Sequence, residues 1–236
     1  MEIIPAILEK DFEKIQEKVE FLASLERKYN IDFKSVQIDL CDGVFVKNTT
    51  WLPDSNNKKE AVFLESFKSF FNFEFHLMCQ DQVKYFLKLE EFKPKSVVIH
   101  LDEILFKVEV SKIIEKARES YTKIIASAKM DFLDKNREEV LSFLEKYDEV
   151  DLQIMGIEEI GVQGQEFSER CLPLIKFFRK NFEEKDLSIQ VDGSINRETI
   201  ELVKIAGANK VLVGSYLLKD LDELNFITKY KVLSRI

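Results

Sequence analysis

Glycine and proline are scarce, with seven and four residues among 236, and tryptophan occurs once. No low-complexity tract, linker composition or charge block interrupts the chain, so one domain over residues 1–236 is expected. Cysteine is equally sparse. Cys41, Cys79 and Cys171 have no CxxC or other paired spacing, which argues against a disulfide framework and for free thiols in a cytoplasmic protein. No apolar run approaches the roughly 18 residues of a membrane span, and no signal-peptide pattern is present, so no membrane partner is expected. Positive charge is not in excess. With Lys+Arg 35 against Asp+Glu 43 the net charge is −8, and no global field draws in nucleic acid. A small phosphorylated ligand stays compatible with that charge, because backbone N–H groups and helix N-termini bind phosphate locally.

What is present is an apolar pattern whose period switches repeatedly between two and about 3.6. It predicts strands over Glu2–Ile7, Phe33–Asp39, Phe73–Met78, Ser96–His100, Lys123–Ala128, Glu149–Met155, Ser188–Val191 and Lys210–Val213. Between them it predicts helices over Asp11–Lys28, with Asp11 as N-cap, over a segment ending near Phe71, and over Gln82–Phe92, Val108–Glu119, Asp134–Lys146, Ser168–Phe182 and Arg197–Ala206. A long loop is expected through Asn48–Lys58, and a helical region after the last strand. Eight strands, each followed by a helix, imply an α/β fold whose parallel sheet closes into a (β/α)8 barrel, for which roughly 250 residues is typical. A doubly wound open sheet is the alternative, but it would normally carry a GxGxxG nucleotide fingerprint, and none is present. Most of the 20 phenylalanines fall on predicted core faces and read as packing. Six of the glycines, Gly43, Gly156, Gly161, Gly164, Gly193 and Gly214, follow predicted strands, the face where barrels hold their ligands.

The polar residues at those strand ends form a pattern. Gln37, Asp39 and Cys41 alternate, so their side chains share one side, while Val36, Ile38 and Leu40 would face the helices. The same alternation pairs His76 with Met78, His100 with Asp102, and Gln190 with Asp192. Carboxylates pointing into a barrel mouth are costly unless paired or coordinated. Both histidines of the chain fall at strand ends. A lone strand-end histidine is usually structural, whereas two histidines and two carboxylates on converging strands point to a site.

The run IIPAIL (Ile3–Leu8), VQIDLCDGVFVKN (Val36–Asn48), FHLM (Phe75–Met78), VIHLD (Val98–Asp102), MGIEEIGVQGQEF (Met155–Phe167), VDGSI (Val191–Ile195) and VGS (Val213–Ser215) together resemble the ribulose-phosphate 3-epimerases, in order and at suitable spacing. The resemblance is weakest between Glu103 and Glu149. It implies a ribulose-phosphate-binding (β/α)8 enzyme of carbohydrate metabolism that inverts carbon 3 of a ketopentose 5-phosphate. Two aspartates, corresponding to Asp39 and Asp192, would act on opposite faces of the sugar. Inversion through a planar ene-diolate needs one acid/base group on each face. It also needs the developing charge stabilised, commonly by a divalent metal. The implied ligands are Gln37, Asp39, His76 and Asp192, holding zinc or another first-row ion, with His76 and Met78 also facing the substrate.

Departures accompany the resemblance. The family has histidine at Gln37, serine at Ala6 and methionine at Cys41. A glutamine carbonyl is a poorer zinc ligand than imidazole, so weakened binding is expected. Cys41 is either packing or a thiolate ligand. Lys129, where the family usually has asparagine–proline, is either a solvated loop residue or a cation for the ene-diolate. The phosphate turns after strands six, seven and eight correspond to Gly161–Val162–Gln163–Gly164, Gly193–Ser194 and Gly214–Ser215. Gln163 and Ser194 replace glycines, and Ser194 can add a hydroxyl donor. Three functions fit: an epimerase of ribulose and xylulose 5-phosphate, an epimerase of another ketose phosphate, and a noncatalytic phosphosugar-binding homologue. The partner is then a small phosphorylated sugar, and assembly as a homo-oligomer is expected.

Overall fold

In a computed structural model, residues 1–54, 58–183 and 186–236 are described. Eight parallel strands, β1 (Glu2–Ile7), β2 (Ser35–Cys41), β3 (Asn72–Met78), β4 (Ser96–His100), β5 (Lys123–Ala128), β6 (Asp151–Met155), β7 (Ile189–Asp192) and β8 (Lys210–Val213), follow one another around a closed barrel. β8 pairs back onto β1, with Ile4 opposite Leu212. The (β/α)8 barrel read from the apolar periods is the fold. Of the loop expected over Asn48–Lys58, residues 55–57 lie outside the described residues.

Alternation along β2 sorts side chains into two environments. Val36, Ile38 and Leu40 join Phe33, Phe73, Phe75 and the apolar helix faces in the main core between barrel and helices. Gln37, Asp39 and Cys41 point inward, and register carries this layer around the barrel: Gln37 lies opposite Glu74, Asp39 opposite His76, and Met155 opposite Asp192. Barrel interiors are ordinarily filled by bulky branched side chains. Here the middle of the interior is polar, with Gln37, Glu74, His76, His100, Gln153 and Gln190 all buried. Most buried polar groups in folded proteins are hydrogen-bonded, and that tendency shapes the site.

Several boundaries differ from the expectation. β2 runs to Cys41 rather than Asp39, because β3 supplies partners as far as Met78. Asp11 sits at the N-cap of helix Phe12–Tyr29 with extended backbone, but its side chain makes no capping bond. The helix expected over Asp134–Lys146 is two, Met130–Lys135 and Arg137–Lys146. At the break Asn136 donates both its backbone N–H and its side-chain amide to the Phe132 carbonyl, the local competition that makes asparagine a poor helix interior. The helix expected through Phe92 becomes a 3-10 turn at Leu89, since Pro94 two residues beyond cannot continue it. A short helix, Leu101–Ile104, follows β4 where none is expected, and Asp102 lies on it rather than on the strand. The segment toward Phe71 is helical only over Lys58–Glu65.

The helix Glu223–Leu233 packs on the chain entering β2 through an aromatic group: Phe33 meets Phe226 at 5.9 Å and Tyr230 at 5.5 Å, both edge to face. Phe33 is fully buried. Phe33→Ala should cost about 3–5 kcal/mol of stability through lost transfer energy and a cavity. Denaturant unfolding followed by circular dichroism checks this, and a loss below about 1 kcal/mol would mean the terminal helix is not anchored there.

Candidate active site

The carboxyl ends of β2, β3 and β7 bring Asp39, His76 and Asp192 together. The imidazole Nδ1 lies 3.3 Å from Asp39 Oδ1 and 3.4 Å from Asp192 Oδ2. One ligand atom from each of the three falls within 4.8 Å of the others. Strand pairing places them: Asp39 is in register with His76, and Thr50 ties down the end of β2, its hydroxyl donating to the Asp39 carbonyl and accepting from the Cys41 N–H, both at 2.8 Å.

Burial alone would lower the His76 pKa, but hydrogen bonds and charge from Asp192 and Asp39 overcome it and raise the imidazole to about 9. Burial pushes the Asp39 carboxyl up, with the Asp192 charge adding to it against the pull of His76. The cluster therefore holds a proton among its members near neutrality. His100 goes the other way: burial keeps it neutral despite Asp102 beside it, whose Oδ2 is 3.3 Å from Nδ1. The two imidazoles meet Nε2 to Nε2 at 2.8 Å, so the protonated His76 donates to a neutral His100.

One cavity runs from Asp39 and Asp192 past Met78, Met155 and Ile157 to the turns Gly161–Gly164, Gly193–Ser194 and Gly214–Ser215. Gly193 needs its lack of a side chain: its φ is +118°, and a Cβ would stand 2.9 Å from both Cγ1 and Cγ2 of Ile157. Ser194 also adopts positive φ, +54°.

A family model for the ribulose-phosphate 3-epimerase family matches residues 2–218. The chain belongs to that family. A ribulose-phosphate 3-epimerase of Schizosaccharomyces pombe is 29% identical over 219 residues, covering 90% of this chain and 85% of the relative. One of Bacillus subtilis is 36% identical over 88 residues, 36% of this chain and 41% of the relative. Among solved structures, a 3-keto-L-gulonate-6-phosphate decarboxylase from Vibrio cholerae superposes with TM-score 0.67 at 10% identity, covering 99% of this chain and 97% of the other. A 3-hexulose-6-phosphate synthase from Salmonella typhimurium gives 0.65 at 12% identity, over 100% and 97%. At such identities these two show a common fold.

The epimerase-family departures can now be placed. Gln37 donates its amide N–H to Asp39 Oδ1 at 2.8 Å, and its carbonyl oxygen is buried without a partner. The donor set of two carboxylates, one imidazole and a spare amide oxygen fits a divalent first-row ion. Cys41 packs with Val46, Met78, Met155, Ile157 and Ile160, and burial beside Asp39 raises its thiol strongly, so packing is the reading the structure supports. The Lys129 ammonium lies 4.2 Å above the Phe45 ring and the residue's backbone N–H donates to Asp102 Oδ1, so Lys129 is a half-buried edge of the mouth rather than a solvated loop residue. The Ser194 hydroxyl donates to the Gln165 carbonyl, which corrects the expectation of a hydroxyl free to meet phosphate. The Gln163 amide reaches toward Gly214, with Nε2 3.6 Å from where a Cβ there would stand.

Gln153 and Glu74, which no motif marks, both face the barrel interior beneath the site. The alternations Asp151–Gln153–Met155 and Glu74–His76–Met78, like Gln37–Asp39–Cys41, carry the inward direction of each side chain but not its partners.

Because His76 must lose its proton to bind a metal, apparent zinc affinity should rise with pH as long as the pH stays below about 9, by about tenfold per unit where one proton is displaced. Titration calorimetry at pH 6, 7 and 8 measures it. An affinity flat with pH would remove His76 from the ligand set. Gln37→His should tighten binding by about ten- to a hundredfold by supplying an imidazole.

Proposed function

We propose that the chain epimerises a ketopentose 5-phosphate at carbon 3, ribulose and xylulose 5-phosphate being the first pair to test. The observation that carries this reading is the pair of carboxylates, Asp39 and Asp192, held against one imidazole from different strands and opening on one cavity. Membership of the family supports it. Binding would place the sugar between the two carboxylates and its phosphate at the backbone N–H groups of Gly164, Gly193 and Gly214–Ser215.

One aspartate, ionised, takes the carbon-3 proton, and the other, protonated, returns a proton to the opposite face. Their positions on β2 and β7 suit attack from two sides. The raised pKa of Asp39 suits it to carry a proton near neutrality. Asp39, His76 and Asp192, with the Gln37 carbonyl oxygen, would hold a divalent ion, which supplies Lewis-acid stabilisation of negative charge on the substrate oxygens beside carbon 3. Met78, Met155 and Ile157 keep the reacting carbon in apolar surroundings, where each charge interaction is stronger than in water. The Gln163 amide narrows the phosphate end and favours, as a second reading, a ketose phosphate of different size or substitution. The reading takes residues 1–236 as one barrel domain with a cytoplasmic location. In support, all three cysteines are free, no helix among the described residues is long and apolar enough to cross a membrane, and a 25% identical rice relative is a cytoplasmic isoform.

Asp39→Asn and Asp192→Asn should each abolish epimerisation, with activity falling by about 10³-fold or more. Each should keep deuterium exchange only from the epimer facing its surviving carboxylate. Metal content is measured on the same samples, since both residues are proposed ligands. Metal-replete variants that still epimerise within about tenfold of wild type would place the chemistry elsewhere.

A further inference from the structure

A hydrogen-bonded chain rises through the barrel interior to the underside of Asp192. It starts at Glu74 on β3, which is buried among side chains of the opposite strands. Glu74 Oε2 accepts the Ser96 hydroxyl at 2.7 Å, and Oε1 accepts an N–H of Gln190 at 2.8 Å. The second N–H of the same Gln190 amide donates to Gln153 Oε1 at 2.7 Å. With its carbonyl so engaged, Gln153 turns its own NH2 group toward the site, 3.4 Å from the Asp192 Oδ2 that can accept it; the His76 ring nitrogens, also at 3.4 Å, are protonated and do not accept.

The order of donors and acceptors is not arbitrary. A primary amide carries donors on one side and an acceptor on the other, and a carboxylate only accepts. Glu74 Oε1 accepts in either protonation state, because a proton on Oε2 would point to Ser96. Gln190 must therefore present N–H downward, its second N–H fixes the Gln153 carbonyl, and the Gln153 NH2 is left to face Asp192. A flipped Gln153 would set carbonyl against carboxylate at the site and amide against amide below it. The contacts to Asp192 are long, as catalytic hydrogen bonds often are before substrate closes them. Among the described residues no such chain reaches Asp39 from below, where the neighbouring amide belongs to Gln37 on its own strand.

We propose that Gln153 is a positioning residue for Asp192, its donor direction set by Glu74 through Gln190. The inference rests on the two-carboxylate reading of the site. It adds that the two halves of the reaction are supported by different amides, so damage to Gln153 falls on the Asp192 half.

The test uses full-length, metal-loaded protein and two variants. Gln153→Leu removes the donor and keeps the volume. Gln153→Glu keeps the acceptor that Gln190 requires, and so guards against a fold defect, while replacing the donor with an oxygen. Steady-state epimerisation of ribulose 5-phosphate and carbon-3 proton exchange from each epimer in deuterium oxide are compared with wild type at matched metal content. Expected is a kcat lower by about ten- to a hundredfold, KM held within about twofold, and exchange lost mainly from the epimer that Asp192→Asn also silences. Equal loss from both epimers, or kcat within about twofold of wild type, overturns the inference while leaving the two-carboxylate reading intact. A wild-type protein that exchanges neither epimer overturns that reading and this inference with it.

Discussion

The chain places two carboxylates beside one imidazole inside a barrel, and most of the interior follows from that choice. An ionised carboxylate in such a place is costly unless its oxygens are matched by donors. His76 serves both aspartates at once, 3.3 and 3.4 Å away, and it stays protonated because they are there. Each aspartate then has a glutamine amide as a further partner, Gln37 for Asp39 and Gln153 for Asp192. Those amides in turn need partners, which pushes the polar layer down through Gln190 to Glu74 and Ser96. The branched side chains that usually fill a barrel would leave these groups unpaired. Hydrophobic stabilisation is displaced to the outer layer, where the phenylalanines accumulate.

The loops answer a different constraint. The phosphate proposed to bind there would need backbone N–H groups that converge, which requires close approach of turns from neighbouring strands. Gly156 and Gly193 allow this after β6 and β7: a Cβ on Gly156 would meet the Gly193 carbonyl at 2.6 Å. Ser194 sits in the left-handed region that favours glycine, and its bond to the Gln165 carbonyl couples the β7 turn to the β6 loop. The substitution thus ties two elements of the cavity wall together, at a cost in backbone conformation of about 1 kcal/mol.

The parts of this architecture that repeat were legible from residues alone. Period-two alternation in Val36–Cys41 carries the inward and outward faces of β2, although the strand runs two residues past the Asp39 that the pattern predicts as its end. Gly193 and Gly214 marked turns after strands because few glycines occur elsewhere. What depended on long-range pairing was not legible. Gln153 and Glu74 look like ordinary polar residues within strands until closure of the barrel brings β3, β6 and β7 face to face. The short helix Leu101–Ile104 was hidden because its residues continue the strand's alternation, and His100 and Asp102 meet across the strand–helix junction rather than along a strand. The fate of the Ser194 hydroxyl depended on a carbonyl 29 residues away.

Carbon 3 is the proposed reacting atom between Asp39 and Asp192. The most direct measurement incubates the zinc- or manganese-loaded wild-type protein with ribulose 5-phosphate in deuterium oxide and follows both epimers by proton NMR. Xylulose 5-phosphate carrying deuterium at carbon 3 is expected, formed at a rate that saturates with substrate. A metal-loaded, folded protein that binds the sugar phosphate yet leaves the carbon-3 proton in place would contradict that assignment.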